Sequence, residues 1–282
     1  MLLAGLCTVD LVQRVADFPA PGEKLQSLAV DVAAGGPATN AAVTVAALGA
    51  EATLTTVLGA HPLAALARAD LATCGVRVLD LAPGRAEPPP VSAVAVRDRD
   101  GERTVVSRNA AEQAGFPVPE PDLDGVGAVL LDGHHPALAL KVARAAKEGG
   151  VPVVLDAGSW KPVLDELLPL VDVAACSAPF RVPGPSLAER GVPVVITTAG
   201  PDPVRWRAGE DSGAVAVPEV AARDTLGAGD VWHGALALAV AGGEDDVAGW
   251  VRYANEVAAE RVRHGGPRSW TAALGELGKG VR

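Results

Sequence analysis

The sequence predicts an α/β fold in three layers: a mainly parallel central sheet covered by helices on both faces, with a smaller β-sheet beside it. Three observations carry that expectation. From Gly125 onward short apolar strands alternate with helical segments, and such strands, bounded by loops, belong to parallel sheets buried on both faces. Two glycine-rich loops, Gly35-Gly36-Pro37 and Gly227-Ala228-Gly229, each lead into an aliphatic helix. After the stiff Pro88-Pro89-Pro90 connector, two β-rich segments flank an Asp-Gly turn at Asp100-Gly101, a hairpin signal.

The whole chain bounds the rest. Its 282 residues are 49% hydrophobic and 21% charged, which suits one large α/β domain over 1–282 with a sizeable core. Only 3% are aromatic, so Ala, Val and Leu must build that core. A net charge of −10, from 24 basic and 34 acidic residues, argues against nucleic acid or an anionic membrane as a partner. Cys7, Cys74 and Cys176 are scattered, with no CxxC or Cys/His metal spacing, and read as reduced thiols of a cytoplasmic protein. No apolar run reaches the ~18 residues that span a membrane.

Taken in order, Leu2 to Leu6 is a first strand rather than a signal peptide, because Asp10 interrupts the apolar run and no basic stretch precedes it. Asp10 follows that strand, where α/β proteins place ligand contacts; a loop carboxylate capping a turn is the other reading. Leu25 to Val32 alternates like a strand. Pro37 suits a first helical position, Ala38, Ala41, Ala42, Val45 and Leu48 follow at helical spacing, and Gly49 ends the helix. Asn40, one turn inside, could give a polyol both a donor and an acceptor. Ala52 to Leu58 reads as a strand, and Leu63 to Cys74 as a short helix after His61, a surface loop residue. Asp98 and Asp100 tempt a calcium-loop reading, which Asn109 refutes by standing where such a loop needs Glu.

Further on, strands are expected at Val126 to Leu131, Val151 to Leu155, Val171 to Ala175 and Val192 to Thr197, with helices over Pro136 to Lys147 and Pro162 to Leu168. Their C-terminal ends carry Asp132, His134, His135, Asp156, Ser177, Thr198 and Gly200. The His pair lacks a third metal ligand and fits substrate or lid contact better. Asp224-Thr225-Leu226-Gly227-Ala228-Gly229-Asp230 then opens a small-residue helix that stops at Gly242-Gly243. Its glycines let backbone approach a ligand, and the free N–H groups at the helix start favour an anion. A carboxylate at that end, Asp230, can take a hydroxyl proton; the alternative is a glycine turn capped by Asp224 and Asp230. Near the end, Tyr253-Ala254-Asn255 begins another helix. Gly275 to Lys279 imitates a P-loop with the wrong spacing, and no Gly-x-Gly-x-x-Gly exists.

The heptad resembles the C-terminal signature of the ribokinase-like (PfkB) carbohydrate and nucleoside kinases, Asp-Thr-x-Gly-Ala-Gly-Asp. Gly35-Gly36 with Asn40 and the following helix resembles the same family's N-terminal signature. The resemblance implies a ribokinase-like α/β/α fold with a β-sheet lid, here roughly 12–33 and 90–108. It implies Asp230 as catalytic base, Gly227, Ala228 and Gly229 as anion hole, and Asp10, Gly35, Gly36 and Asn40 as sugar contacts. Ser177, Thr198, Gly200, Thr225, Asn255 and Gly265 would meet the nucleotide, and Asp224 with the Gly265 turn would surround a monovalent cation. ATP, Mg²⁺ and K⁺ are the implied cofactors, and the expected partners are a small sugar and a second copy of the chain meeting through the lid. The chain departs from the family at Gly59-Ala60-His61, which lacks the usual acid. It departs again at Ser177-Ala178-Pro179-Phe180, where many members have Asn-x-x-Glu; ketohexokinase-like and sulfofructose-kinase-like branches also show Ser there. The activity expected is ATP-dependent phosphorylation of a furanose or ketose hydroxyl. A nucleoside kinase is the alternative within the same chemistry, and a non-catalytic binding protein or a bare structural scaffold the alternatives outside it.

Overall fold

The computed structural model describes residues 1–108, 115–243 and 246–279, so Asn109 lies outside the described residues. Nine strands form a large sheet: β1 (Leu2–Ala4), β4 (Ala52–Thr56), β5 (Val76–Asp80), β8 (Val129–Leu131), β9 (Val153–Ala157), β10 (Val173–Ser177), β11 (Val194–Ala199), β12 (Asp202–Ala208) and β13 (Asp211–Val215). Their spatial order is β13-β12-β11-β10-β9-β8-β1-β4-β5. Pairing is parallel from β5 across to β11, and β12 and β13 close that edge as an antiparallel hairpin. A four-stranded sheet, ordered β3-β2-β6-β7, is built from β2 (Thr8–Val15), β3 (Ala29–Gly35), β6 (Val91–Arg97) and β7 (Arg103–Ser107).

Seven helices complete the layers: α1 (Pro37–Ala47), α2 (Pro62–Thr73), α3 (Pro136–Gly149), α4 (Leu164–Leu167), α5 (Ala228–Ala241), α6 (Val247–Val262) and α7 (Thr271–Lys279). The period-two alternation of strand side chains decides which helix covers which face. Leu3, Leu54, Leu130, Val154, Ala175 and Ile196 pack with α1, α2, α5, α6 and α7. Leu2, Val129, Leu131, Val153 and Leu155 pack with α3 and α4. Helices α1 and α5 approach closely because Gly234 leaves room for the Ala41 backbone.

The chain reverses direction across the sheet between β1 and β8, and such switch points are where open α/β sheets leave a crevice. Asp132 pins this point. It is 1% exposed and accepts hydrogen bonds from the N–H groups of Leu6, Ala38 and His134. Gly36 turns the chain into α1 at φ 98°, and a Cβ there would run into the Leu6 carbonyl.

Several elements differ from expectation. The small sheet begins at Thr8, so Asp10 is a strand residue of that sheet and not a loop residue beyond β1. Its second strand spans Ala29–Gly35 instead of Leu25 to Val32. Helix α6 starts at Val247, which places Asn255 in mid-helix. Strands β5, β12 and β13 were not anticipated: their alternating exposed polar residues gave short, weak apolar signals.

Candidate active site

Loop and helix at 224–241 bring the reacting groups together. Gly227 caps α5 at φ 72°, a left-handed conformation that L side chains rarely adopt, within contact distance of the Asn40 amide and the Asp230 carboxylate. The first N–H groups of a helix have no partner inside it. Here Val231 N–H bonds the Gly227 carbonyl and Ala228 N–H makes a long 3.3 Å turn bond to Thr225. The N–H groups of Gly227, Gly229 and Asp230 have no protein acceptor among the described residues. Gly229 faces open space.

Asp230 Oδ2 accepts from Asn40 Nδ2 at 2.9 Å. The opposite end of that amide, Oδ1, accepts from Arg268 Nη1 at 3.3 Å, which fixes the amide's orientation because the guanidinium can only donate and the carboxylate only accept. Arg268 is in turn anchored by Asp70 at 2.8 Å and by the Ala34 carbonyl. Asp70 also accepts from Ala34 N–H, at the start of the Gly35-Gly36 turn. Asn40 therefore orients the Asp230 carboxyl, a contact beyond the substrate contact expected of it. Neither Arg268 nor Asp70 was singled out in the sequence; the only hint was an arginine directly after the Gly265-Gly266-Pro267 turn.

The Asp230 carboxyl adjoins Asn40 and Gly227, which line a cleft together with Asp10, Val12, Ala34 and Leu226. Its pKa is raised to about 6, first by loss of water around it and second by the charge of Asp156, against the hydrogen bond from Asn40. Asp156 itself is paired with His233 Nδ1 at 3.1 Å, both 6% exposed. The buried carboxylate holds the His233 pKa above its ordinary value against desolvation. Across the cleft, Asp10 accepts from the Thr8 hydroxyl at 2.6 Å, and burial raises its pKa. Gly35 stands opposite, with space for no Cβ beside the Asp10 carboxylate. A larger hollow, lined by Met1, Thr53, Arg77 and Leu138, opens at the other end of the strands, away from these groups.

The residues expected at the nucleotide separate into two sets. Ser177 and Thr198 are register partners at the ends of β10 and β11, with Gly200 in the open turn that follows. Their hydroxyls donate to the carbonyls of Gly158 and Cys176. Phe180 is buried against Trp160. Asn255 is different: 2% exposed, it accepts from Trp232 Nε1 and donates to the Ala216 carbonyl, so both ends of its amide are engaged with protein. Thr225 is likewise engaged, accepting from Arg103 and donating to the Gly101 carbonyl, which ties the small sheet's turn to the anion loop. Of the His134-His135 pair expected to meet substrate or lid, His135 is 1% exposed, as is the neighbouring Asp132. His135 is kept neutral, its pKa lowered to about 4 by desolvation, against the edge of Phe116.

Asp224 opens the loop that leads into α5 and is fully buried. Its carboxylate accepts from Leu226 N–H and Gly266 N–H at 2.9 Å each. Two guanidinium groups complete it, Arg14 at 3.3 Å and Arg261 at 3.7 Å. The Gly265 carbonyl is taken by the Ser269 hydroxyl. Neither arginine stood out in the sequence, because Arg14 lies in a strand and Arg261 in a helix with no motif around them.

Residues 1–179 and 184–273 match the family described as pfkB family carbohydrate kinase. A ribokinase of Bacillus subtilis is 26% identical over 277 residues, covering 92% of this chain and 91% of its own length. A ribokinase of Arabidopsis thaliana is 31% identical over 61% of this chain, and the match spans only 48% of that relative. Among solved structures, a protein of Agrobacterium tumefaciens assigned as a ribokinase superposes with a TM-score of 0.83 at 26% identity, over 99% of this chain and 97% of its own. The Arabidopsis thaliana ribokinase complexed with ribose and ATP gives 0.72 at 23% identity, over 99% and 98%.

Proposed function

Since the chain belongs to the pfkB family of carbohydrate kinases, we propose that it transfers phosphate from ATP to a hydroxyl of a small sugar, a furanose or ketose. One observation carries this reading: a carboxyl with pKa about 6 stands at a helix start whose neighbouring amides lack protein acceptors. That pKa leaves Asp230 ionised at neutral pH yet basic enough to draw a proton from an alcohol. The amides of Gly227 and Gly229, with the helix dipole behind them, would hold the transferring phosphoryl oxygens. Asn40 keeps the base aimed, and Asp10 with the Gly35-Gly36 turn would hold other hydroxyls of the sugar. The small sheet acts as the lid that excludes competing water.

Bound ATP would supply the phosphoryl group, with Mg²⁺ screening its phosphates. Ser177, Thr198 and Gly200 offer the shelf for the nucleotide, while Asn255 and Thr225 support the shelf and loop from behind. Among the described residues no three His, Cys, Asp or Glu converge on a metal position, and Ser177 and Phe180 stand where the family signature has Asn and Glu. The chain therefore offers Mg²⁺ no protein cage, which suits an ion carried on the phosphates. Ser177 is proposed as the mark of a branch that does without that pair. The relatives named as ribokinases put pentoses first in a substrate panel.

Further expectations stand beside this reading. No helix among the described residues is long and apolar enough to cross a membrane. Cys7 and Cys176 are buried free thiols, which supports a reducing, cytoplasmic setting. Val30, Val32 and Val106 are exposed on the small sheet, with Leu28 just before it, which supports pairing of two copies through the lid.

The test is Asp230→Asn, which keeps the shape and removes the base. Turnover on the best sugar falls by about 10²–10⁴-fold while the melting temperature is kept. Wild-type turnover in that variant would remove Asp230 from the mechanism.

A further inference from the structure

Arg261 is a buried cation inside a shell of backbone oxygens. Its side chain is 2% exposed. Nη2 donates to the Leu226 carbonyl at 2.6 Å, and Nη1 donates to the carbonyls of His264 at 2.9 Å and Asp224 at 3.4 Å. The Asp224 carboxylate lies 3.7 Å away, and the ring of Trp270 packs 5.8 Å from the guanidinium. Residues 224 and 226 belong to the loop that enters α5, and residue 264 to the turn after α6. The guanidinium thus sits between those two backbone segments and holds both.

Three carbonyls and a carboxylate converging on one point would otherwise suit a metal cation with oxygen ligands. The resemblance of the heptad implies a monovalent cation at this place, between Asp224 and the Gly265 turn. The residues present do not fit one. Asp224 already accepts from two amides and lies beside two guanidinium groups, which uses about all four lone-pair sites of a carboxylate. The Leu226 and His264 carbonyls point at Arg261. An added ion would have to enter beside a fixed positive charge that cannot lose its proton.

We propose that Arg261 is a built-in cation: its guanidinium sets the geometry of the anion loop, so turnover by this chain needs no monovalent metal ion and does not respond to K⁺. The proposal rests on the kinase reading for its activity readout and on the geometry alone for its binding readout. Arg261 is a positioning residue, acting through the Leu226 carbonyl on the amides that follow.

Turnover of the intact protein with ATP, Mg²⁺ and its best sugar is compared in chloride salts of K⁺, Na⁺ and tetramethylammonium at equal ionic strength, so that screening is matched. The rates are expected to agree, and a rise in K⁺ of about fivefold or more, the lower end of ordinary coupling between two sites, overturns the proposal. Arg261→Ala is expected to lose about tenfold or more in turnover, as for a lost buried charge-assisted bond. Methylguanidinium should restore part of that loss where tetramethylammonium does not. Wild-type turnover in Arg261→Ala, or recovery with either cation alike, overturns the role. Melting of the intact protein in the same salts gives a readout independent of activity. A bound ion raises the melting temperature of whatever native state holds it, so equal melting in K⁺ and tetramethylammonium supports the proposal and a K⁺-specific rise overturns it. If no sugar is phosphorylated, the kinase reading fails, and the melting comparison still decides the cation question. If Arg261→Ala does not fold, the two salt series on the intact protein decide it.

Discussion

At the scale of the residue, the proposed chemistry turns on how one carboxyl is kept both basic and ionisable. Asp230 loses solvent around it and feels the charge of Asp156, and both effects push its pKa up. Asn40 and the positive side of His233 oppose them. The outcome, about 6, sets a pH profile. As base, Asp230 must be ionised, so turnover should rise with pH through about 6 and then level, as read in kcat against pH. A profile already flat well below that value would show that a different group carries the proton. The stability effect has a definite sign. A carboxyl whose folded pKa lies above its unfolded value contributes stability at low pH that is lost as pH rises through about 6. Asp230→Asn removes that loss, so the variant should melt no lower than the wild type above that pH.

At the scale of the element, the site depends on two helix starts held face to face. Helix α1 presents Asn40 and α5 presents Asp230, and Gly234 lets the helices approach closely enough for the two side chains to bond. The turn into α1 tolerates no side chain at Gly36. Its φ of 98° lies where L residues are strained, and an added Cβ would lie 2.5 Å from the Leu6 carbonyl. Gly36→Ala should therefore destabilise the protein by roughly 2 kcal/mol or more, seen as a lower denaturation midpoint with unchanged slope. An unchanged midpoint would mean that the turn relaxes without cost.

At the scale of the molecule, the two sheets divide the work. The large sheet supplies the crevice and the helix starts. The small sheet covers it, with Val12, Val94 and Val96 packed towards Leu226 of the anion loop, while Val30 and Val32 stay 55% and 51% exposed. An apolar stripe of this kind on a sheet invites a second copy. Sedimentation should show concentration-dependent dimers for the wild type and monomers for Val32→Lys at the same concentration. A wild type that remains monomeric throughout would leave the exposed stripe without a partner copy.

Sequence alone was enough for the parallel core of the large sheet and for the two glycine-led helix starts at Pro37 and Ala228. Those features are local: apolar strands such as Val153 to Leu155, the Gly-Gly entrance before Pro37, and the seven residues from Asp224 to Asp230 announce themselves within a few positions. It missed what depends on distant parts of the chain meeting. Asp10 looked like a loop residue because nothing nearby says that the chain crosses at once into a second sheet. Strands β12 and β13 are half exposed and so left little apolar pattern. Arg268, Asp70, Asp156 and His233 gain their roles only by packing against Asn40 and Asp230, and Arg14 and Arg261 only by converging on Asp224. A charge's role is set by its neighbours within a few ångströms; the fold chose those neighbours from segments up to 234 residues apart.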